Sequence, residues 1–405
     1  MTEWTNSVLT GDVRERLDDL SDSSVHMVMT SPPYFGLRDY GHEDQIGLED
    51  ELDAYIEELV AVFREVRRVL RPDGSAWLNL GDSYATARQN HTGGEQIRGA
   101  PEGDYATREE GALGRKNKML VPHRVAIALQ SDGWVVRNDV TWLKPNPMPS
   151  SVKDRLNTTT EQIFHLTPKP DYWYDLDAIR EPHAEASVKR MKHGKGDNLK
   201  SAGMNNSDNS GGIHEGGKDK IADEYHAAGK NPGDVFEVTT KPFADAHFAV
   251  YPPELCEKPL KATCPPKVCA ECGSPYEREV EVERKLLSEL PESHPHYRPN
   301  DYKQYEGVGD RNDADELVTV SKHHHKGWTP TCDCDTDTTE AGIALDPFAG
   351  AGTTLLKAKE LGRQFVGIEL NAKYADMARA RVGIDVKDPS TVRDDADQSG
   401  LEAYD

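Results

Sequence analysis

Residues 343–362 read "IALDPFAGAGTTLLKAKELG", and this order of residue types predicts a strand, a glycine-rich turn and a helix. Gly350 and Gly352 would let the backbone approach a ligand closely, and a helix that begins near Thr353 would offer its free N–H groups there. One helix later, "FVGIEL" puts Glu369 at the tip of the next strand, where a carboxylate can accept hydrogen bonds from both hydroxyls of a ribose. The turn lacks the third spaced glycine of dinucleotide-binding turns, so the pattern indicates a nucleoside without a pyrophosphate.

The rest of the chain alternates apolar strands with amphipathic helices in the same way. Strand patterns cover residues 25–29, 75–82, 134–144 and 161–167, and helix patterns cover 52–70 and about 122–130. The first of these helices has to end before Pro72 and Gly74. The alternation predicts an α/β fold with a doubly wound, mostly parallel sheet covered by helices.

Length and charge restrict the class of protein. The chain has 405 residues, which suits one large domain or two to three smaller ones, and its formal net charge is −23. That charge argues on its face against a polyanionic partner, although the acidic surface of a halophilic protein would give the same value and still allow a local basic groove. No apolar run approaches the roughly 18–20 residues that cross a bilayer, and the start shows no secretory pattern, so we expect a cytoplasmic protein.

A second short stretch, "TSPPY" at residues 30–34, ends the first predicted strand on two consecutive prolines. The proline rings fix the backbone and remove two N–H donors, so the strand has to stop there. Taken alone, the stretch is typical of a strand terminator followed by a packed tyrosine. Together with the glycine-rich turn, it is a candidate for the second half of one active site.

These two motifs resemble the catalytic and cofactor motifs of the DNA amino-methyltransferases, in the order found in the β group of that family. Four segments match the family's pattern along the chain: "GDVRERLDDLSDSSVHMVMTSPPY", "RVLRPDGSAWLNLGD", "VTWLKPNPMPSSVKDR" and "HFAVYPPEL". The resemblance covers roughly residues 6–180 and 240–385. It implies S-adenosylmethionine as methyl donor and a seven-stranded Rossmann-like sheet with a circularly permuted motif order and polar insertions.

The resemblance also assigns donor-binding residues. They are Asp12, Asp346, Phe348, Gly350, Gly352, Thr353 and Glu369. Glu369 would hold the ribose, Asp346 would lie near the methionine amino group and Asp12 would face the adenine amino group, while the other four would wrap the methionine end. Two simpler interpretations stay open, because Asp12 is also typical of an ordinary turn and Glu369 of an acid that stabilises a helix N-terminus.

The predicted catalytic residues are Ser31, Pro32, Pro33 and Tyr34. Methyl transfer to an exocyclic amino group needs a lone pair that conjugation has delocalised into the ring of the base. Acceptors aimed at the amino hydrogens localise that pair, and a rigidly held Pro32 carbonyl and the Ser31 hydroxyl would provide two of them. Tyr34 would stack on the base, which has to leave the duplex to reach such a pocket.

The serine at position 31 bears on the identity of the substrate. In this family S-P-P-Y is typical of cytosine N4 methylation, whereas D-P-P-Y or N-P-P-Y is typical of adenine N6 methylation. The resemblance therefore implies cytosine N4, with adenine N6 as the alternative. Cytosine C5 methylation is rejected because no cysteine of the chain follows a proline. A non-catalytic, zinc-containing nucleic-acid-binding protein and a methyltransferase acting on RNA or a small molecule remain as alternatives.

The six cysteines are too few for a disulfide-stapled fold of this length. Four of them form two closely spaced pairs, Cys269 and Cys272 in "CAEC" and Cys332 and Cys334 in "CDC". Such pairs suit a tetrahedral structural zinc ion. Cys264 is a spare ligand candidate, whereas we expect Cys256 to pack in the core and the histidines at 323–325 to lie in a solvated loop.

Composition shifts divide the chain into regions. They are a catalytic half at 1–182 with a polar insertion at about 84–118, a flexible candidate target-recognition insertion at 183–235, a return to the methyltransferase domain at 236–268, a cysteine-containing insertion at 269–340, a donor-binding half at 341–385 and an acidic tail at 386–405. Candidate phosphate contacts are the stretch 98–118 and Lys189, Arg190, Lys192, Lys195, Lys200 and Lys218. We expect double-stranded DNA as the partner, and a cognate restriction endonuclease is a second candidate.

Overall fold

The structure is a computed structural model that describes residues 4–37, 45–85, 113–114, 116–184, 229–241, 250–286 and 319–384. Most of the two predicted insertions and the whole acidic tail lie outside the described residues, and of the candidate phosphate contacts only residues 113–114 and 116–118 are described. The chain forms two compact units. The first comprises Met1–Asp175, Gly233–Tyr276 and Pro330–Asp405, and the second comprises Leu176–Pro232 and Glu277–Thr329.

The first unit alternates strands and helices as the sequence predicts. Its helices are α1 (Val13–Arg16), α2 (Leu52–Val69), α3 (Val121–Ser131), α4 (Pro253–Thr263), α5 (Thr353–Glu360) and α6 (Ala372–Val382). Its strands are β1 (Ser7–Thr10), β2 (Val25–Thr30), β3 (Leu70–Leu80), β4 (Val135–Leu143), β5 (Thr160–Thr167), β6 (Val235–Glu237), β7 (Val268–Cys269), β10 (Thr339–Glu340), β11 (Ile343–Asp346) and β12 (Gln364–Glu369), and β8 and β9 lie mostly in the second unit. No helix among the described residues is both long and apolar enough to cross a membrane.

Eight strands form one sheet in the order β1-β12-β11-β2-β3-β5-β4-β6. Strands β1, β12, β11, β2 and β3 are parallel, β5 is antiparallel to both β3 and β4, and β6 adds to β4 in parallel. The predicted mostly parallel α/β sheet is confirmed. It has one strand more than the seven that the resemblance implies, because Val235–Glu237 pairs with β4 at the edge.

Strands β2 and β11 are neighbours in the middle of this sheet, although they come from opposite ends of the chain. Ala344 pairs with Met27, and Leu345 pairs with Val28. Parallel strands end at the same edge of a sheet, which is also where open α/β folds bind their ligands. The "TSPPY" corner after β2 and the glycine-rich turn after β11 therefore begin side by side.

Helices cover both faces of the sheet, which makes the fold doubly wound. Along β2, Val28 packs into one apolar cluster, and Met27 and Met29 pack into the other. The first cluster takes the stripe Tyr55, Leu59, Phe63 and Val66 of α2, and the second takes Leu255 of α4, Leu355 of α5 and Ala378 of α6. Burying each large side chain stabilises the fold by about 1.5–3 kcal/mol, so this packing fixes the edge that carries the two turns.

One strand differs from the sequence prediction. Strand β3 begins at Leu70, directly after α2, and not at Ser75. Val25 pairs with Leu70, but Met27 already pairs with Ser75, so residues 71–74 bulge out of the ladder. The proline at 72 and the glycine at 74 lie in this bulge, where neither has to satisfy the regular hydrogen-bonding pattern.

The second unit contains a paired set of long strands. β8 (Tyr276–Leu286) pairs with β9 (Thr319–Pro330), each with one end residue in the first unit. The stretch "HHH" at 323–325 lies within β9, so the predicted loop is wrong there: pairing with β8 holds this backbone extended. His324 and His325 are exposed, as a solvated position requires.

A buried histidine lies on the antiparallel strand of the main sheet. His165 of β5 stacks on Trp77 of β3 with their ring centroids 4.2 Å apart. Burial, with a smaller contribution from the positive charge of Arg137, lowers the pKa of His165 to about 3. The folded protein therefore holds this ring neutral at pH values where the unfolded chain would protonate it.

We predict that His165→Phe, which keeps an aromatic ring against Trp77, makes the protein less sensitive to acid. Between the ordinary histidine pKa of 6.5 and about 3, the wild-type unfolded state binds a proton that the folded state does not. Stability therefore falls as the pH falls, by up to about 1.4 kcal/mol per pH unit from this residue. Urea unfolding at a series of pH values should give a shallower pH slope for the variant. Equal slopes would contradict the assignment.

Candidate active site

A cavity of about 360 Å³ opens at the carboxyl edge of the sheet in the first unit. Its lining includes most of the predicted site residues: Asp12, Ser31, Pro32, Pro33, Tyr34, Phe348, Gly350, Thr353 and Glu369. Asp346 and Gly352 do not belong to the lining. One cavity therefore brings together the proline corner and the glycine-rich turn.

Two glycines shape the turn between β11 and α5. Gly350 has a φ of +51° and Gly352 has a φ of +75°, both in the left-handed region that glycine adopts without strain. A Cβ on Gly352 would lie only 2.9 Å from the Cβ of Ala378, so α6 leaves no room for a side chain. Gly352 is the N-cap residue of α5 and packs against α6. It therefore sets the conformation of the turn without lining the cavity itself.

Glu369 faces the cavity from the tip of β12, at the predicted position. Its Oε2 accepts from the N–H of Gly350 at 2.8 Å, and its Oε1 accepts from the N–H of Asn371 at 2.9 Å. Burial raises the pKa of this carboxyl, although the two N–H donors oppose the shift. The side-chain cap of α6 is Asn371, whose Oδ1 accepts from the N–H of Lys373, and Glu369 adds a bond to the N–H of that capping residue.

Asp346, the last residue of β11, lies beneath the turn and has no exposed surface. Its Oδ1 accepts from Thr30 Oγ1 at 2.7 Å and from the N–H of Phe348 at 3.2 Å, and its Oδ2 accepts from the hydroxyl of Tyr251 at 3.0 Å. Burial raises the pKa of this carboxyl. The sequence interpretation gave Asp346 to the methionine amino group, but here its carboxylate binds protein donors and joins the ends of β2 and β11.

Tyr251 is a residue that the sequence analysis did not single out, although it lies in the matched segment "HFAVYPPEL". Its hydroxyl donates to Asp346 and contacts Thr354 Oγ1, and Thr354 in turn donates to the carbonyl of Met29 at 3.1 Å. Burial and the charge of Asp346 raise the pKa of Tyr251 well above its ordinary value. These bonds connect α5, β11 and β2 directly under the cavity.

The proline corner is held from two sides. The hydroxyl of Tyr55 on α2 donates to the carbonyl of Pro33 at 2.8 Å. The ring of Tyr34 lies against Gly81, where a Cβ would come within 2.4 Å of the ring. The absence of a side chain at position 81 thus sets the plane of the Tyr34 ring at the cavity wall.

Three residues that the sequence analysis missed bind the catalytic motif from strands β3 to β5. The Tyr34 hydroxyl donates to Glu161 Oε2 at 2.8 Å and accepts from Ser31 Oγ at 3.3 Å. Asn79 Nδ2 donates to Ser31, Tyr34 and Glu161 at 3.3, 3.1 and 3.0 Å. Lys144 Nζ forms an ion pair with Glu161 Oε1. Burial and the charge of Glu161 raise the pKa of Tyr34 well above its ordinary value, so the phenol keeps its proton.

Asp12 lines the cavity and also serves as the ordinary turn aspartate that the sequence allows. It caps α1 by accepting from the N–H of Arg14 at 2.8 Å. The Arg14 guanidinium binds both of its oxygens, at 2.9 and 2.5 Å. A ligand donor that approaches Asp12 would therefore meet a carboxylate already paired with a cation.

The four paired cysteines form a separate cluster, and none of them lines the cavity. The sulfur atoms of Cys269, Cys272, Cys332 and Cys334 all lie within 4.8 Å of one another. Cys264 lies outside this group and is buried, and burial raises its pKa to about 12. Cys256 is fully buried within the second apolar cluster, in agreement with the expectation of a core residue.

Comparison with known proteins identifies the class. The family model described as a DNA methylase, N6_N4_Mtase, matches residues 25–268 and 336–380. The Type II methyltransferase M.SfiI of Streptomyces fimbriatus is 33% identical over 90% of this chain and 88% of its own. The Type II methyltransferase M.SmaI of Serratia marcescens is 30% identical over 93% and 90%. The chain therefore belongs to the N6/N4 DNA methylase family.

Among solved structures, the PvuII DNA methyltransferase, described as cytosine-N4-specific, superposes with a TM-score of 0.49 at 14% identity. The match covers 95% of this chain and 88% of that one.

We predict that Glu161→Gln lowers the rate of methyl transfer at least about tenfold, because a neutral amide cannot hold Lys144 and Tyr34 as the carboxylate does and small displacements of reacting groups are costly. Glu57→Gln, at an exposed position on α2, is the matched control and should keep the wild-type rate. Single-turnover transfer of a labelled methyl group to DNA measures the effect, and calorimetry should give unchanged donor affinity. A fully active Glu161→Gln variant would contradict the role of this network.

Proposed function

We propose that this DNA methylase transfers a methyl group from S-adenosylmethionine to the exocyclic N4 amino group of cytosine in double-stranded DNA. The observation that carries the proposal is the shared cavity, in which Ser31 and Tyr34 face the same space as Gly350 and Glu369. A donor seated on the turn would thereby have its methyl group directed at a base held in the corner.

The donor side fits a nucleoside. The carboxylate of Glu369 retains lone pairs that can accept from ribose hydroxyls, because each oxygen receives one N–H. Phe348, Gly350 and Thr353 line the neighbouring wall, where the methionine end would lie. Asp12 lines the wall near α1 and is assigned to the adenine amino group. Asp346 would position the donor site indirectly, because its carboxylate accepts hydrogen bonds from Thr30 and from the N–H of Phe348.

The acceptor side fits a flipped base. When bound, S-adenosylmethionine supplies an electrophilic methyl group. The Pro32 carbonyl and Ser31 Oγ would accept the two amino hydrogens and localise the nitrogen lone pair, and the ring of Tyr34 would stack on the base. The nitrogen would form its bond to the methyl carbon as the sulfur–carbon bond breaks, which leaves the donor as a neutral thioether, and the proton that the amino group loses would pass to solvent. The ring has to leave the duplex first, at a cost of a few kcal/mol.

Cytosine is favoured over adenine by the serine at position 31, since S-P-P-Y is the cytosine N4 pattern in the family that the motifs resemble. Relatives named Type II methyltransferases support a place in a restriction-modification system, with a cognate endonuclease as partner. The insertion at 183–235 remains the proposed target-recognition element, and most of it lies outside the described residues.

The decisive experiment identifies the methylated nucleoside. The protein is incubated with labelled S-adenosylmethionine and unmethylated DNA, and the digested product is separated by chromatography. We expect the label in N4-methylcytosine. Label in N6-methyladenine would establish the alternative specificity, and no transfer to DNA would overturn the proposal. Ser31→Ala and Tyr34→Ala should nearly abolish transfer while the donor still binds, and full activity in both would remove the assigned site.

We further propose that the cysteine cluster binds a structural zinc ion. Zinc–thiolate bonds of about 2.3 Å in a tetrahedron place the sulfurs roughly 3.8 Å apart, which a cluster confined within 4.8 Å can reach. The turn that carries Cys272 is anchored to the main sheet. Its carbonyl accepts from Arg71 at 3.1 Å, and the next carbonyl, of Gly273, accepts from His26 Nε2 at 2.9 Å. His26 Nδ1 meanwhile accepts from the N–H of Ile343, so the neutral ring links the cysteine turn to β11.

The zinc proposal predicts one tightly bound zinc ion per chain by elemental analysis of the purified protein. Cys272→Ser should lose the metal and lower the melting temperature, whereas Cys264→Ala, which removes a thiol outside the cluster, should retain it. Chelation should destabilise the region around residues 256–334 without touching the groups that perform methyl transfer. A metal-free wild-type protein would contradict the proposal.

A further inference from the structure

A proline-rich segment is flanked by residues that line the cavity, although none of its own residues belongs to the lining. It runs between β4 and β5 over residues 145–159, "PNPMPSSVKDRLNTT", and is called the rim segment here. Lys144, directly before it, and Glu161, two residues after its end, both line the cavity. Asn146 of the segment also bonds Thr240, another lining residue, so the segment lies on the side of the cavity that carries Lys144 and Glu161.

The rim segment carries two unusually exposed apolar side chains. Leu156 is 89% exposed and Met148 is 85% exposed, more than any other large apolar residue in the described part of the chain. Isolated apolar side chains are normal on surfaces, but two at this level on one short segment indicate a contact surface. Asn157 Nδ2 donates to the carbonyl of Met148 at 3.1 Å, so the two sides of the segment that bear them lie together.

Hydrogen bonds and a ring contact hold the segment in shape. The side-chain amide of Asn146 donates through Nδ2 to the carbonyl of Thr240 at 3.0 Å and accepts at Oδ1 from the N–H of Thr240 at 2.9 Å. The N–H of Lys144 donates to the carbonyl of Thr159 at 2.9 Å and closes the base of the segment. The guanidinium of Arg155 lies 3.9 Å from the ring centroid of Tyr84. These contacts hold the segment that carries Leu156 and Met148, so ordering the segment on binding would cost little conformational entropy.

The charge around these tips is opposite to that of the whole chain. The rim segment has two cations, Lys153 and Arg155, and a single carboxylate, Asp154, which pairs with Lys116. The full chain has a net charge of −23. In DNA, apolar stacked bases lie between negatively charged phosphates. Exposed apolar side chains with cations beside them match that arrangement, even on a protein that is acidic as a whole.

We propose that Leu156 and Met148 enter the base stack of DNA and fill the space that the target base leaves. Apolar wedges of this kind stabilise an unstacked step by replacing base–base contacts with side-chain contacts. The neighbouring Lys153 and Arg155 bind the adjacent phosphates. This inference rests on the proposed function, because a wedge is useful only to a protein that draws a base out of a duplex.

The test asks whether Leu156 and Met148 contribute to base extrusion or to another step, such as overall DNA binding. Once the modified site has been mapped by sequencing treated DNA, two short duplexes are prepared. One is fully paired, and in the other the target base faces an abasic position, so that it is already unpaired. Single-turnover methylation is measured for the wild type, Leu156→Ser, Met148→Ser and the double variant. Ile127→Ser, at a 62% exposed position on α3, is the matched control.

We expect the double variant to lose about tenfold or more in rate on the paired duplex and to come within about threefold of the wild type on the abasic duplex, since an unpaired base costs less to extrude. The control should match the wild type on both. Equal losses on both duplexes, or no loss on either, would overturn the inference and leave the surface to another partner. A wild-type protein that methylates neither duplex would refute the proposed function itself.

Discussion

The hydrogen bond from Thr30 Oγ1 to Asp346 Oδ1, 2.7 Å long, joins the two halves of the cavity. The two residues end the neighbouring parallel strands β2 and β11, and both are fully buried. A buried carboxylate is costly unless donors surround it, so Asp346 also takes Tyr251 and the N–H of Phe348. This requirement fixes the point from which the proline corner and the glycine-rich turn both leave the sheet.

From that point the cavity is built by two further sets of contacts. Glu369 takes N–H groups from the glycine-rich turn and from the start of α6, which ties β12 to the donor wall. On the opposite wall, Glu161 of β5 takes the Tyr34 hydroxyl together with Asn79 and Lys144. Polar groups on both walls are thus oriented before a ligand arrives, which is the arrangement that favours electrostatic stabilisation of a reaction.

Much of this arrangement was predictable from sequence because the signals are local. The strand, turn and helix of residues 343–362 and the two prolines after β2 each have a pattern within a short window, and the structure contains the predicted elements at both. The adjacency of β2 and β11 has no local signal, and the resemblance to a family supplied it. Asn79, Lys144 and Glu161 were missed because single polar residues near strand ends have no diagnostic spacing. A motif also cannot indicate that Asp346 is fully buried among protein donors, and its place near the methionine amino group stays a prediction.

The most direct test of the shared site is a crystal structure with a non-reactive analogue of S-adenosylmethionine. The account predicts ribose hydroxyls at about 3 Å from the carboxylate oxygens of Glu369, which is hydrogen-bonding distance. It also predicts that the position of the transferable group points toward Ser31 and Tyr34 across the cavity. An analogue bound elsewhere, or bound with that position turned away from the proline corner, would contradict it.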